Sequence, residues 1–161
     1  NIAEDNPKDF KYLFINTDKK SIEDSLIDNK LYLDITKDKT IDNSFNEITD
    51  KILTYIKDND KVFVIAGLGG VTGSTLLSNL GKLLKDNNCL SIGIVTKPFN
   101  FEGKVRMEIA NKSLEEARPF FDKIEIFDNK SMFQYAEKET TFTEAFKEMD
   151  TRIKGYIESQ I

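Results

Sequence analysis

The sequence predicts an α/β fold, doubly wound about a mostly parallel sheet. Three observations carry this expectation. Four short β-rich runs, Lys11 to Ile15, Val62 to Ala66, Ser91 to Thr96 and Ile124 to Phe127, alternate with segments whose apolar residues recur at helical spacing. Such alternation is the signature of helices packed on a parallel sheet. The run Val62 to Ala66 is wholly apolar, which suits a strand buried on both faces. Finally, 161 residues without a repeat, linker or low-complexity tract are enough for one sizeable core.

Each element has its own warrant. Lys11 to Ile15 opens the chain's β pattern. Ser44-x-x-Glu47 reads as a capping box ahead of the stripe Phe45, Ile48, Ile52, Tyr55 and Ile56. Val62 to Ala66 runs into a glycine-rich turn, then into a helix expected to open at Ser74 and Thr75 and to bury Leu76, Leu77, Leu80, Leu83 and Leu84. Ser91 to Thr96 is the next strand, and Cys89, just before it, is expected to pack in the core. The pattern Lys104 to Arg118, with Ile109, Ala110, Leu114 and Ala117 on one face, ends at Pro119. The longest stripe, Phe142, Ala145, Phe146, Met149, Ile153, Tyr156 and Ile157, predicts a C-terminal helix of some four turns. These stripes are expected to face the core, and residues 1–161 to form a single domain.

Composition excludes whole classes of chemistry. There is no histidine, so catalysis by Ser-His-Asp or Cys-His groups, histidine proton shuttles and ordinary zinc sites are out of reach. What remains is carboxylates, backbone amides and a hard cation such as Mg²⁺, the means by which nucleotide hydrolases work. A net charge of −5 argues against an electrostatic grip on nucleic acid or anionic lipid. No apolar run approaches the ~20 residues needed to cross a bilayer. A single cysteine allows no internal disulfide and fits a reducing cytoplasm.

The segment V-F-V-I-A-G-L-G-G-V-T-G, Val62 to Gly73, is the densest in functional meaning. A strand, a glycine turn and a helix start together aim backbone N–H groups and the positive end of a helix dipole at one spot, where an anion is favoured. Glycine also serves in such turns merely to reverse the chain, so this segment alone leaves both readings open.

A second segment, I-V-T-K-P-F-N-F-E-G-K-V-R at Ile94 to Arg106, decides between them. Taken together, the two segments resemble the FtsZ branch of the tubulin family of GTPases. That family's phosphate loop reads A-G-M-G-G-G-T-G-[ST]-G, against Ala66 to Thr75 here, and its next strand ends in V-V-T-K-P-F-x-F-E-G-x-x-R. F-I-N-T-D at Phe14 to Asp18 is similar to the family's V-N-T-D, and Ala145-Phe146 to Gly155 to its long central helix. The likeness runs over nearly the whole chain.

The resemblance implies a tubulin/FtsZ GTPase-domain fold and a site for GTP or GDP with Mg²⁺. Gly69, Gly70, Thr72, Gly73 and Ser74 would hold the phosphates through backbone amides and hydroxyls. Glu102 and Arg106 would contact the ribose region; without that role they form a surface i,i+4 ion pair. Phe146 would pack on the base. No catalytic residue is assigned. The natural partner would be another copy stacked head to tail, or an FtsZ-family protein, with neither nucleic acid nor membrane insertion involved.

The sequence departs from the family at several points. Val71 and Thr75 stand where the family has glycine, and would cost ~1–2 kcal/mol each if those positions need positive φ. The stretch Ile126-Phe127-Asp128-Asn129-Lys130 replaces I-P-N-D-K. The family's base-reading Asp falls at Thr151, with Asp150 one residue, or ~100°, away. The acidic segment Asp34 to Asn43 stands where the family has a glycine-rich loop that senses the γ-phosphate. The family's first strand, its acidic catalytic loop and its C-terminal domain are not in this sequence. Two functional readings follow. One is a nucleotide-binding domain of a filament-forming cytoskeletal or cell-division protein; the alternative is a degenerate relative without GTPase activity that acts as a structural or regulatory filament partner. In either case the Val62 strand is expected to be an open edge facing Lys11 to Ile15, or to be paired from outside the chain.

Overall fold

A computed structural model describes residues 10–35, 39–58, 60–128 and 141–161. The element order is β1 (Phe14–Asn16), α1 (Lys19–Asp24), β2 (Lys30–Tyr32), α2 (Ile41–Leu53), β3 (Lys61–Gly67), α3 (Val71–Asp86), β4 (Leu90–Lys97), α4 (Lys104–Ala117), β5 (Lys123–Asp128) and α5 (Phe142–Ser159). One-turn 3₁₀ segments, Asn100–Glu102 and Arg118–Phe120, flank α4. All strand pairs are parallel, β1 with β2 and β3-β4-β5 in a second sheet. No described helix is long and apolar enough to cross a membrane.

The doubly wound arrangement follows from the two-residue period of β4. Val95 joins Val64, Leu77, Leu84, Ala110, Leu114 and Ala117 in the layer under α3 and α4. Ile92 and Ile94 point the other way, onto Ala145, Met149, Ile153 and Ile157 of α5. Leu77, Ile94 and Val95 are fully buried, each worth roughly 1.5–3 kcal/mol of transfer free energy. A third cluster, Leu31, Leu33, Phe45, Ile48, Ile52 and Leu76, ties β2 and α2 to the outer side of α3. Most of the expected stripe residues therefore face the core, and Cys89 is buried with them, but Ile109 of α4 and Phe146 of α5 are exposed.

Several local expectations are corrected. The cap of α2 is Thr40, whose hydroxyl accepts from Asn43 N at 3.2 Å, and not Ser44. Ser44 lies inside the helix, buried, and donates to the Asp34 carbonyl at 2.6 Å, which ties the incoming chain to α2. α3 begins at Val71, three residues before Ser74, with Gly70 as its cap. Neither Val71 nor Thr75 has positive φ; the sole described non-glycine residue that does is Asn88, at 55°. Val71 is the first helical residue and its side chain is 68% exposed, so the loop carries no strain from it. α1, capped by Asp18, and β2, which pairs with β1, were not anticipated from the sequence.

β3 hydrogen-bonds to β4 alone, so its other edge has no partner among the described residues. β1 is not paired with it: the sheets approach through Phe10 and Phe63, ring centres 6.2 Å apart, and through Thr17 and Thr72. Among the described residues the Val62 strand is thus an open edge, one of the two outcomes expected of it, but it is not buried on both faces: Val64 alone is buried and Ile65 is 44% exposed.

Candidate functional site

The glycine loop is built by close backbone approach. Leu68 N donates to Thr96 O at 2.9 Å, extending the β3–β4 ladder one residue past the strand, and the chain then reverses through Gly69 and Gly70. Gly69 has φ +97°, and a Cβ there would lie 2.4 Å from Pro98 Cγ and 3.1 Å from Arg106 O. A Cβ on Gly73 would lie 2.1 Å from Gly67 O, so only glycine lets α3 start this near the end of β3. Gly70 meets nothing within 4 Å: its face is open.

These distances show that the two motifs singled out in the sequence interlock. Pro98 of T-K-P-F-N-F-E-G fills the space that a side chain on Gly69 would need, and Arg106 lies directly beside it. Glu102 uses both carboxylate oxygens: Oε2 accepts from Phe99 N at 2.6 Å, and Oε1 accepts from Arg106 Nη1 at 2.9 Å. The first bond closes the 3₁₀ turn; the second holds the guanidinium, which is half-exposed, against Glu102. Gly103, at φ +103°, redirects the chain into α4.

The opening of α3 is suited to an anion. Its cap, Gly70, offers no side-chain hydrogen bond, and the first amides of any helix have no intrahelical acceptor, the arrangement that favours an anion at a helix start. Ser74 takes a different part from the one expected. It is buried, and its Oγ accepts from Gly69 N at 2.9 Å, so it shapes the loop from inside. Thr72 is met by Thr17, from the turn after β1, with their hydroxyl oxygens 2.5 Å apart. Thr17 was not among the residues marked in the sequence as candidates, although the N-T-D signature that contains it was.

The aromatic side of the site comes from α5. Buried Phe99 stacks on Phe101, centroids 5.0 Å apart and 10° from parallel, and meets Phe146 edge-on at 6.0 Å. Phe146 is the apolar residue of α5 that stays 53% exposed. Asp150 lies one turn further along the same face. Thr151 is exposed and turns its hydroxyl back to Lys147 O at 3.0 Å. Asn129 and Lys130 lie outside the described residues. The marked positions from Gly69 to Ser74, with Glu102, Arg106 and Phe146, are therefore joined by contacts at the C-terminal ends of β3 and β4, where open α/β sheets hold ligands. A separate cleft lined by Lys85, Cys89, Pro119 and Phe121 opens at the other end of β4.

Comparison with known proteins agrees with this geometry. Residues 3–137 match the model of the Tubulin/FtsZ family, GTPase domain. The cell division protein FtsZ of Rickettsia felis is 33% identical over 159 residues, covering 93% of this chain and 35% of that protein. FtsZ of Wolbachia sp is 33% identical over 171 residues, covering 93% of this chain and 43% of that protein. Among solved structures, an empty FtsZ dimer from M. jannaschii superposes with a TM-score of 0.77 and 28% identity, over 92% of this chain and 47% of that one. CetZ from Methanosaeta thermophila shares the fold, with a TM-score of 0.72 at 21% identity over 91% and 43% of the two chains. This chain thus spans between a third and a half of the length of these relatives. By sequence, by fold and by the two interlocked motifs, the chain belongs to the Tubulin/FtsZ family.

Proposed function

We propose that this chain is the guanine-nucleotide-binding part of a filament-forming cell-division protein. The observation that carries the reading is the contact of Gly69 with Pro98 and Arg106, which makes one surface of the phosphate-loop motif and the T-K-P-F-N-F-E-G motif. The free amides opening α3 would hold the phosphates of GTP or GDP, with the Thr72 hydroxyl at their edge and Gly70 and Gly73 allowing close approach. Arg106, oriented by Glu102, would reach the sugar. Phe146 would offer its exposed face to the base, with Asp150 beside it for the base's N–H groups.

The same residues would suit a triphosphate, since the loop supplies N–H donors and bare backbone. No cluster of three His, Cys, Asp or Glu occurs among the described residues, so Mg²⁺ would arrive on the phosphate oxygens and neutralise them rather than sit in a carboxylate cage. The relatives that are division proteins, and one solved as a dimer, support self-association, which in this reading runs head to tail through the nucleotide. The protein would work in the cytoplasm.

Isothermal titration of the full-length protein with GTP, GDP and ATP tests the proposal. GTP and GDP should bind and ATP should not, and guanine nucleotide at ~100 times its Kd should add about 2.7 kcal/mol of stability. Binding of neither guanine nucleotide would overturn it in favour of a non-binding filament partner.

A further inference from the structure

The loop's inner side holds a pair of buried serines that the nucleotide reading does not use. Ser113, on α4, is 4% exposed and donates from Oγ to the Ser74 carbonyl at 2.8 Å. Ser74, 7% exposed, accepts the Gly69 N–H on its own Oγ at 2.9 Å. Two hydrogen bonds that share Ser74, one on its carbonyl and one on its hydroxyl, therefore link α4 through the first turn of α3 to the one loop residue with a left-handed backbone. Ser113 lies seven residues, two helical turns, after Arg106, so both project from the same face of α4. α4 thus grips the loop twice: at Gly69 through the Arg106 backbone and Cβ, and at Ser74 through Ser113.

We propose that Ser113 is a positioning residue for the glycine loop, fixing the start of α3 against α4 so that the loop amides stay aimed at bound phosphate. The Ser74 carbonyl lies in the body of α3, where the helix supplies it with a backbone donor. The Ser113 hydroxyl therefore adds a second bond to an acceptor that does not need it for burial. Losing that bond leaves no orphaned group but frees the angle between α3 and α4 at the loop. The geometry, not core stability, is what the hydroxyl secures.

The proposal rests on the nucleotide reading for its consequence, and two readouts on the full-length protein separate the two. The variants are Ser113→Ala, which removes the hydroxyl, and Ser113→Thr, which keeps it. The first readout is amide hydrogen exchange at Gly69. Ser113→Ala should speed it about three- to tenfold, the size of one hydrogen bond, with the interior amides of α4 unchanged and Ser113→Thr closer to wild type. The second is affinity for a fluorescent GDP analogue, which should weaken by a similar factor in Ser113→Ala. If wild type binds no guanine nucleotide, the functional reading falls while Gly69 exchange still decides the role of Ser113. Unchanged Gly69 exchange, or a rise spread evenly over α3 and α4, would overturn the proposal; should Ser113→Thr not fold, Ser74→Ala serves as the second variant and must speed Gly69 exchange at least as much.

Discussion

Among individual residues, the glycines of the loop are not equivalent, and the structure ranks them. Gly73→Ala drives a methyl to 2.1 Å from Gly67 O, a backbone atom that cannot swing aside. The expected loss is at least ~1–3 kcal/mol in a urea melt, because α3 must back away from β3. Gly70→Ala points its methyl into open space at ordinary φ and should change stability by less than ~0.5 kcal/mol, while weakening guanine-nucleotide binding by crowding the phosphate face. A Gly70→Ala variant that loses stability, or a Gly73→Ala variant that keeps it, would contradict this account of the loop. The sequence showed which residue types mattered here, because a glycine run after an apolar strand has few uses. It could not show that Ser74 turns inward onto the Gly69 amide, which depends on the shape of the loop, or that Ser113 reaches Ser74 from a partner helix some forty positions away.

Elements were legible where they were long and periodic. The stripes of α3, α4 and α5 bury most of the residues expected of them, Ile109 and Phe146 excepted, since four to seven apolar positions at helical spacing admit little else. β2 was invisible because three residues, Lys-Leu-Tyr, carry no measurable alternation, and α1 because none of its six residues is buried. The cap of α2 was misplaced because Ser44 and Glu47 mimic a capping box, while the true cap, Thr40, with β-region backbone, accepts the Asn43 amide on its hydroxyl. Thr40→Ala should therefore cost about 1 kcal/mol and Ser44→Ala should loosen the Asp34 end of the chain instead; thermal melts with hydrogen exchange at Asn43 distinguish them. Asp18, capping α1, has its carboxyl held below the ordinary carboxylate range, first by the Ser21 hydroxyl and then by the Ser21 amide. A depressed folded value means its contribution is present above the unfolded pKa near 3.9 and is lost as pH falls through the lower folded value. The Ser21 amide shift should follow that low titration, and a midpoint at or above 3.9 would contradict it. Cys89 has the opposite sign. Burial raises its thiol, with the Asp60 and Asp58 charges adding to the effect, so the thiolate that reacts is scarce. Alkylation of the native protein at pH 8 should be at least ~10 times slower than after unfolding.

On the scale of the whole molecule, two parallel sheets meet without joining. β3 carries an edge with no partner among the described residues, next to a two-stranded sheet, and buried backbone groups are rarely left unpaired. In the full-length protein the β3 amides that do not bond to β4 should exchange slowly, as partners in a continuous sheet would; exchange at solvent rates would mean the edge stays open. The same architecture places both sequence motifs at the C-terminal ends of β3 and β4, one wall of each supplied by the other. That convergence is the central claim, and titration of GDP into isotope-labelled protein followed by NMR tests it most directly. The account predicts that the amides of Gly70, Val71, Thr72 and Gly73 and the Arg106 guanidinium shift together along one binding curve. Shifts confined to the cleft around Lys85, Cys89 and Phe121, with the loop amides unmoved, would contradict it.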